Sequence, residues 1–452
     1  MQLSPLQRSV LGIAAPAVAE LVLTSLTSLA DTIMVGRLGS YAISAVGLTN
    51  QPRFIMLAAF VALNVGTTAL VARFKGQGNR EEAAVVTAQS ILLAFLASAL
   101  FMVPGVLLAR PMVLFMGAGP DTAQAAADYF RILMLGFVPT VLPIAISALL
   151  RGVGDTKTSL VYNLTANGVN IVFNYLLIYG KFGFPALGVR GAAIATVIGN
   201  CCACAMAFSA ILGKGRIGGG ASDFVRLRLS RATARPNFPM LRRIFRIGLP
   251  SAGEQLALRA GLLIYTLTIT ALGTEVFAAH QIVLTILNLS FVNGQAFGIA
   301  ATSLTGQALG RGDPAGAKAA SAACQRAGAL ISTSMGIGMF IFRRPLIALF
   351  TGEPAIIALG SSVVILAAAI QPFQSSFQIY AGALRGAGDA LYPAISMAVG
   401  ILGIRPLLAY SFIHVVGLGL FGAWLALACD QAVRFFLILV RYRKGRWVAI
   451  KV

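Results

Sequence analysis

Runs of about 20 to 28 apolar residues, long enough to cross a bilayer as a helix, recur from one end of the chain to the other. They are parted by short stretches such as GRLGS (36–40), RFKGQGNREE (73–82), ARPM (109–112) and RGVGDTK (151–157). Inside lipid no water pairs with exposed backbone groups, so each run has to be a helix that satisfies its own N–H and C=O groups. The 452 residues leave room for about 12 such helices. The runs place them at 9–36, 43–72, 84–109, 125–150, 158–180 and 188–212, then at 245–272, 277–306, 317–342, 357–384, 391–413 and 418–441. Composition agrees: 58% of residues are apolar and 11% charged, against about half and a quarter in soluble domains. The first run, Leu11 to Val35, is too long for the apolar core of a cleaved signal and is expected to stay as a span.

A net charge of +21 raises the question of nucleic acid, and its placement answers it. With the N-terminus taken as cytoplasmic, the inside loops hold Arg73, Lys75 and Arg80, then Arg151 and Lys157, then a run from Lys214 to Arg246, then Arg311 and Lys318. The tail adds Arg441, Arg443, Lys444, Arg446 and Lys451. Outside loops hold Arg37, Arg110, Lys181, Arg190, Arg343 and Arg344. This asymmetry follows the positive-inside rule and puts both termini in the cytoplasm. A nucleic-acid surface would gather basic and aromatic residues on one folded face, which the sequence does not do. The expected partners are therefore the lipid bilayer and small molecules, with no nucleic acid and no cofactor. Five cysteines lack metal spacing: Cys201, Cys202 and Cys204 share one apolar helix, and Cys324 and Cys429 stand apart. They read as packing thiols.

The chain is also written twice. Pro16 and Pro250 lie 234 positions apart, as do Glu20 and Glu254, Gly39 and Gly273, Ala45 and Ala279, Gly76 and Gly310, Pro111 and Pro345, and Pro120 and Pro354. The offset ends on one motif in two copies, Arg151-Gly-x-Gly-Asp155 and Arg385-Gly-x-Gly-Asp389. Six spans per copy keep both copies in one orientation, a parallel repeat of the kind transporters use. The expected fold class is all-α: a polytopic membrane protein of 12 transmembrane helices in two six-helix lobes. The N-lobe is expected over 1–212, a Gly-, Arg- and Ser-rich cytoplasmic linker over 213–240 and the C-lobe over 241–452.

Ionisable residues inside spans are costly and mark function by default. Asp31, Glu20 and Glu254 are the acids well inside spans, and Asp430 lies in the last one. Glu20 and Asp31 are 11 residues apart, three helical turns, so both carboxylates share a face about 16 Å apart. In the fifth span Asn163, Asn167, Asn170 and Asn174 stand at i, i+4, i+7 and i+11, again one face that needs partners or a wet cavity. Their plainer role would be hydrogen bonding between helices. Glu20 and Glu254 each follow a helix-kinking proline, Pro16 or Pro250, by four residues. Each reads equally as an attractor for a cationic substrate or as a brace for the kink. Arg259 and Arg405 also lie in spans and need partners, and Glu254 is a candidate for Arg405. Arg151, Asp155, Arg385 and Asp389 read as structural or gating, because glycines permit a tight turn whose Arg and Asp cap helix ends or pair. His280, beside Gln281, reads as packing or a hydrogen bond rather than a proton relay. Phe291, Phe297, Phe373 and Phe377 would suit cation–π contact with flat cations, though packing is the plainer role for each.

Several segments resemble the multidrug and toxic compound extrusion (MATE) family: Pro16-x3-Glu20 leading to Asp31-Thr-Ile-Met-Val-Gly-Arg-Leu-Gly39, Ala278-Ala-His280-Gln281, Gly306-Gln-Ala-Leu-Gly310 and both RGxGD copies. Asn170-x3-Asn174-Tyr175, running on to Tyr179-Gly-Lys-Phe-Gly183, looks most like its NorM-type bacterial branch. The resemblance covers nearly the whole chain. It implies a V-shaped pair of six-helix lobes, a monomer in a bacterial inner membrane, and export of cationic, amphipathic drugs by alternating access in exchange for Na⁺ or H⁺. In that family the positions of Asp31, Asn170 and Asn174 handle the coupling cation. A carboxylate with amide oxygens suits Na⁺, and a buried carboxylate equally suits a proton. The chain departs twice. Some members carry an acid where Asn174 stands, and NorM-type members carry a tenth-helix acid where Gln374 stands, so a C-lobe cation site of that type is not expected. The repeat partners of Asn170 and Asn174 are Ile404 and Leu408, which leaves coupling one-sided. Two other readings are a lipid-linked oligosaccharide flippase, which would want arginines along its cavity, and a membrane transferase, which would want an acid-rich or His-rich metal motif.

Overall fold

A computed structural model describes residues 4–213, 222–227 and 235–450. The stretches 214–221 and 228–234 of the expected linker, and Lys451 of the basic tail, lie outside the described residues. Sixteen α-helices follow in order: α1 (Pro5–Gly36), α2 (Ser40–Gln77), α3 (Arg80–Leu107), α4 (Ala109–Phe115), α5 (Ala123–Leu135), α6 (Phe137–Val153), α7 (Thr156–Tyr179) and α8 (Val189–Leu212), then α9 (Phe238–Thr270), α10 (Thr274–Gly310), α11 (Pro314–Ile341), α12 (Arg343–Ala348), α13 (Pro354–Ala369), α14 (Gln371–Gly386), α15 (Leu391–Val415) and α16 (Gly419–Arg443). Seven single helices are long and apolar enough to cross a membrane. So are two bent pairs, α5 with α6 (52°) and α13 with α14 (42°). Three further helices, α7, α9 and α11, are long enough at 24, 33 and 28 residues but more polar. Together these are twelve long helical segments among the described residues, and the chain is an all-helical, multi-pass membrane protein.

The two copies build their helix ends alike. Asn79 caps α3 by accepting from Glu82 N (3.1 Å), and Asp313, 234 positions on, caps α11 by accepting from Gly316 N (2.7 Å). Such caps satisfy amide groups that a helix start leaves open. In RGxGD the second glycine is the one that turns the chain: Gly154 has φ 84° and Gly388 φ 91°, where a side chain would be strained. The first glycine lets helices touch. A Cβ on Gly152 would press on Val71 and the Thr68 carbonyl, and one on Gly386 would overlap the Thr302 carbonyl. At the same crossings Thr68 donates to Ala148 O and Thr302 to Gly382 O, each at 2.9 Å. Small residues and interhelical hydrogen bonds hold helices together where lipid removes the hydrophobic drive.

The chain forms two compact units, Ala19–Arg246 and Met1–Val18 with Ile247–Val452. This division differs from the expected boundaries at the start of α1, and it places residues 241–246 of the expected C-lobe in the first unit. Val10, Ile13 and Ala14 pack with Phe297, Ala300, Ala301, Cys324, Ile379 and Ala383 of the second unit. Part of the expected linker is also packed: Phe224 and Val225 are buried in the first unit, with Lys75 Nζ 4.5 Å above the Phe224 ring. Of the cysteines expected to be packing thiols, Cys324 is buried but Cys201 is exposed.

One asymmetry between the copies is local. The helix α7 is regular, whereas α15 widens into π-helix at Val399–Ile404 and again at Ser411–Val415.

Candidate functional site

The first unit holds a half-open cavity of about 460 Å³. Asp31 enters it from α1, and Asn163, Asn167, Asn170 and Asn174 line it from α7. Asp31 Oδ1 accepts from Asn174 Nδ2 at 2.6 Å. The Asn170 amide has two orientations. In one, its oxygen accepts from Asn174 Nδ2 (3.2 Å) and its nitrogen donates to Thr196 Oγ1 (3.3 Å). In the other, its nitrogen donates to Asp31 Oδ1 (2.9 Å) and its oxygen faces Thr196 N and Oγ1 (3.2 and 3.3 Å). The second gives Asp31 a second amide donor and pairs the Asn170 oxygen with Thr196, but it sets the Asn170 nitrogen 3.2 Å from Asn174 Nδ2, a donor facing a donor. Asn174 Oδ1 is buried and has no hydrogen-bond partner.

A second rung lies further along the same two helices. Glu20 Oε1 accepts from Asn163 Nδ2 (2.9 Å) and from Arg151 Nη2 (2.8 Å). Each carboxylate-to-amide contact spans 143 residues. The reason is that Glu20 and Asp31 are 11 apart on α1, as Asn163 and Asn174 are on α7, so helices running in step bring both pairs into register. The asparagine stripe is therefore divided. Asn163 belongs to Glu20, Asn170 and Asn174 belong to Asp31, and Asn167 lines the cavity between them. Tyr179 Oη donates to Met34 O (2.9 Å), which ties the far ends of α1 and α7 together.

Sequence reading missed three contributors. Arg53 lines the cavity from α2, an ionisable residue inside a span that the rule used for Asp31 should have caught. Thr196 and Asn200 line it from α8 at i and i+4, two polar positions in an apolar helix, and Asn200 Nδ2 donates to Thr140 Oγ1 at 2.8 Å.

The second unit is built differently. Glu254 was a candidate partner for Arg405; it pairs instead with Arg385 Nη2 (2.5 Å), 131 residues away, as Arg151 is from Glu20. The first arginine of each RGxGD copy thus holds the glutamate that follows the kink proline. Arg405 goes to Asp430, with Nε at 3.0 Å and Nη2 at 2.6 Å from Oδ2, and Arg434 Nη2 joins at 2.8 Å. All three are at least 96% buried. Arg405 lies 5.2 Å over the ring of Tyr265, which stands 234 positions after Asp31, and Arg434 lies 5.4 Å over Phe377. Where the first copy has a carboxylate, the second has a ring under a guanidinium. Arg53 and Arg434 thus join Arg259 and Arg405 as arginines within the long helices.

Other expected residues fall into packing. His280 is buried and its Nδ1 accepts from Trp424 Nε1 at 3.2 Å. Gln374 is buried with Oε1 unpartnered. Phe297 and Phe377 are buried, Phe291 packs on the core and Phe373 meets Phe435 and Phe436. The RGxGD acids diverge. Asp155 caps α7, accepting from Thr158 N (3.1 Å) and Thr158 Oγ1 (2.8 Å), while Asp389 accepts from Arg441 Nε at 2.8 Å.

The sequence model of the MatE family matches residues 16–176 and again 250–411, one match for each copy. The chain is a MATE-family transporter. It is accordingly not an enzyme. Among curated relatives, it is 29% identical over 442 residues to the probable multidrug resistance protein NorM of Thermotoga maritima, covering 98% of this chain and 93% of that one. It is also 29% identical to the multidrug resistance protein NorM of Burkholderia vietnamiensis, over 92% of this chain and 89% of that protein. The fold matches a MOP-superfamily transporter from Pyrococcus furiosus with a TM-score of 0.88 at 23% identity, over 99% and 98% of the two chains. An outward-facing MATE transporter matches as well, at 0.88 and 23% over 98% and 96%.

Proposed function

We propose that this MATE transporter exports cationic, amphipathic drugs and toxins by alternating access, in exchange for Na⁺ or H⁺ bound at Asp31, Asn170 and Asn174. The reading places it in a bacterial inner membrane with both termini cytoplasmic, following the bias of Lys and Arg. The observation that carries it is the Asp31 carboxylate, held by asparagine amides at the wall of a 460 Å³ cavity in the first unit. A carboxylate in a span is expensive unless a cation or proton offsets its charge, and Arg53 shares the cavity without an ion pair to Asp31 among the described residues. The oxygens around it, from Asn174 Oδ1, Thr196 Oγ1 and the Asn170 amide, suit a hard cation as cargo. Coupling in this reading is one-sided, because Glu254 and Asp430 in the second unit already hold arginines.

The test is transport of an organic cation by proteoliposomes under an imposed Na⁺ gradient or an imposed pH gradient. One of the two should drive uptake against the drug gradient, and Asp31→Asn, inserted at normal levels, should abolish that drive. Full ion-driven transport by Asp31→Asn would remove the assignment.

A further inference from the structure

One stripe of α16 changes character along its length. Val433, Phe436, Leu437 and Val440 follow the i, i+3, i+4, i+7 spacing of a single face, and Arg441 and Lys444 continue it at i+8 and i+11. With Tyr392 of α15 these residues line a groove of about 310 Å³. From Val433 to Lys444 the helix rises about 16 Å, comparable to half the hydrocarbon core of a bilayer. Phe436 and Val440 are 54% and 52% exposed on its wall, so the groove opens outward rather than into the unit.

The basic end is prepared in a particular way. Asp389 accepts from Arg441 Nε, and the Tyr392 ring lies 4.1 Å from the guanidinium carbon. That fixes one edge and one face of Arg441, and neither Nη nitrogen makes a hydrogen bond among the described residues. The Lys444 side chain has no ion pair or hydrogen bond among them either. Arg443 and Arg446 add two exposed cations next to it. The first repeat has no counterpart, since its RGxGD acid caps α7 instead of holding an arginine.

We propose that this groove is a binding site for an anionic phospholipid, with its phosphate on Arg441 Nη and Lys444 and one acyl chain along Val440, Leu437, Phe436 and Val433. Charge complementarity selects the occupant: an apolar channel that ends in Lys444 and the open Nη edge of Arg441 fits a lipid with a negatively charged headgroup, and basic pockets beside spans hold such headgroups. The leaflet is the one next to the C-terminus, cytoplasmic in the topology proposed above. The site itself does not depend on drug export, and it is tested without transport.

Full-length protein in non-ionic detergent, stripped of lipid, is titrated with phosphatidylglycerol, with phosphatidylcholine of the same chains, or with inorganic phosphate. Bound lipid is read by native mass spectrometry and thermal unfolding is followed in parallel. Phosphatidylglycerol is expected to bind more tightly and to stabilise more than phosphatidylcholine. Lys444→Gln should weaken it about fivefold, as loss of one cation near the surface implies. Val440→Trp fills the groove and should abolish lipid binding while leaving the lipid-free unfolding midpoint at the wild-type value. Equal binding of the two lipids would overturn the proposal, and so would unchanged phosphatidylglycerol affinity in either variant. Stabilisation by inorganic phosphate equal to that by phosphatidylglycerol would overturn it too, making the site one for a free anion.

Discussion

The repeated arginine–glutamate pair invites a double-mutant cycle, because the two copies differ in burial. Glu254 and Arg385 have side chains 4% and 17% exposed, and Glu20 and Arg151 7% and 26%. At a separation of 4 Å with an effective dielectric near 20, two unit charges attract by about 4 kcal/mol. Part of that attraction is offset by desolvation, yet removing one partner strands the other charge inside the unit and costs about 3–5 kcal/mol. Glu254→Met and Arg385→Met should each destabilise by about that much, while the double variant loses far less than the sum. The coupling energy should reach about 3 kcal/mol, the upper end for residues in direct contact. The Glu20–Arg151 cycle should give less, since Arg151 is more solvated and Asn163 remains as a second donor to Glu20. Unfolding by SDS in mixed micelles measures the wild type and the six variants on one scale. Additive losses at Glu254 and Arg385 would refute the brace. A Glu254→Met variant of normal stability whose only defect is weaker drug binding would make Glu254 a substrate group instead.

Gly386→Ala should destabilise the second unit by about 1–3 kcal/mol, because the added methyl meets the Thr302 carbonyl in a packed crossing. Gly403→Ala, with no atom within 4 Å of the new Cβ, is the control and should unfold near the wild-type midpoint. Asp155→Ala should cost about 1 kcal/mol through loss of the α7 cap. Faster hydrogen exchange at the Thr158 amide is the check, and unchanged protection there would deny the cap its role.

The sequence made the span pattern legible because lipid allows so few backbone choices, and it made the repeat legible because the copies keep one offset to the end of RGxGD. The Asp31 site was legible for a more specific reason. Its amides fall at helical spacing on one helix, and its two acids fall at matching spacing on another. What could not be read was which helices adjoin. Arg405 pairs with Asp430 and not Glu254 because α16 lies alongside α15, a neighbourhood no spacing in the chain encodes. The start of α1 joining the second unit escaped for the same reason: Val10 and Ile13 are apolar wherever they pack. Arg53 and Arg434 were in plain view and were passed over among the loop cations of a strongly basic chain.

The two π-helical stretches of α15 bear on how far one copy can be used to interpret the other. A π turn closes with about one residue more than an α turn, so everything after Val399–Ile404 is swung round the helix axis by about 100° relative to the regular α7. Ile404 and Leu408 still match Asn170 and Asn174 by counting, but they no longer occupy the same bearing. The swollen turns take α15 out of step with α7, and Arg405 meets an aspartate on α16 where the first copy offers amides to a carboxylate on α1.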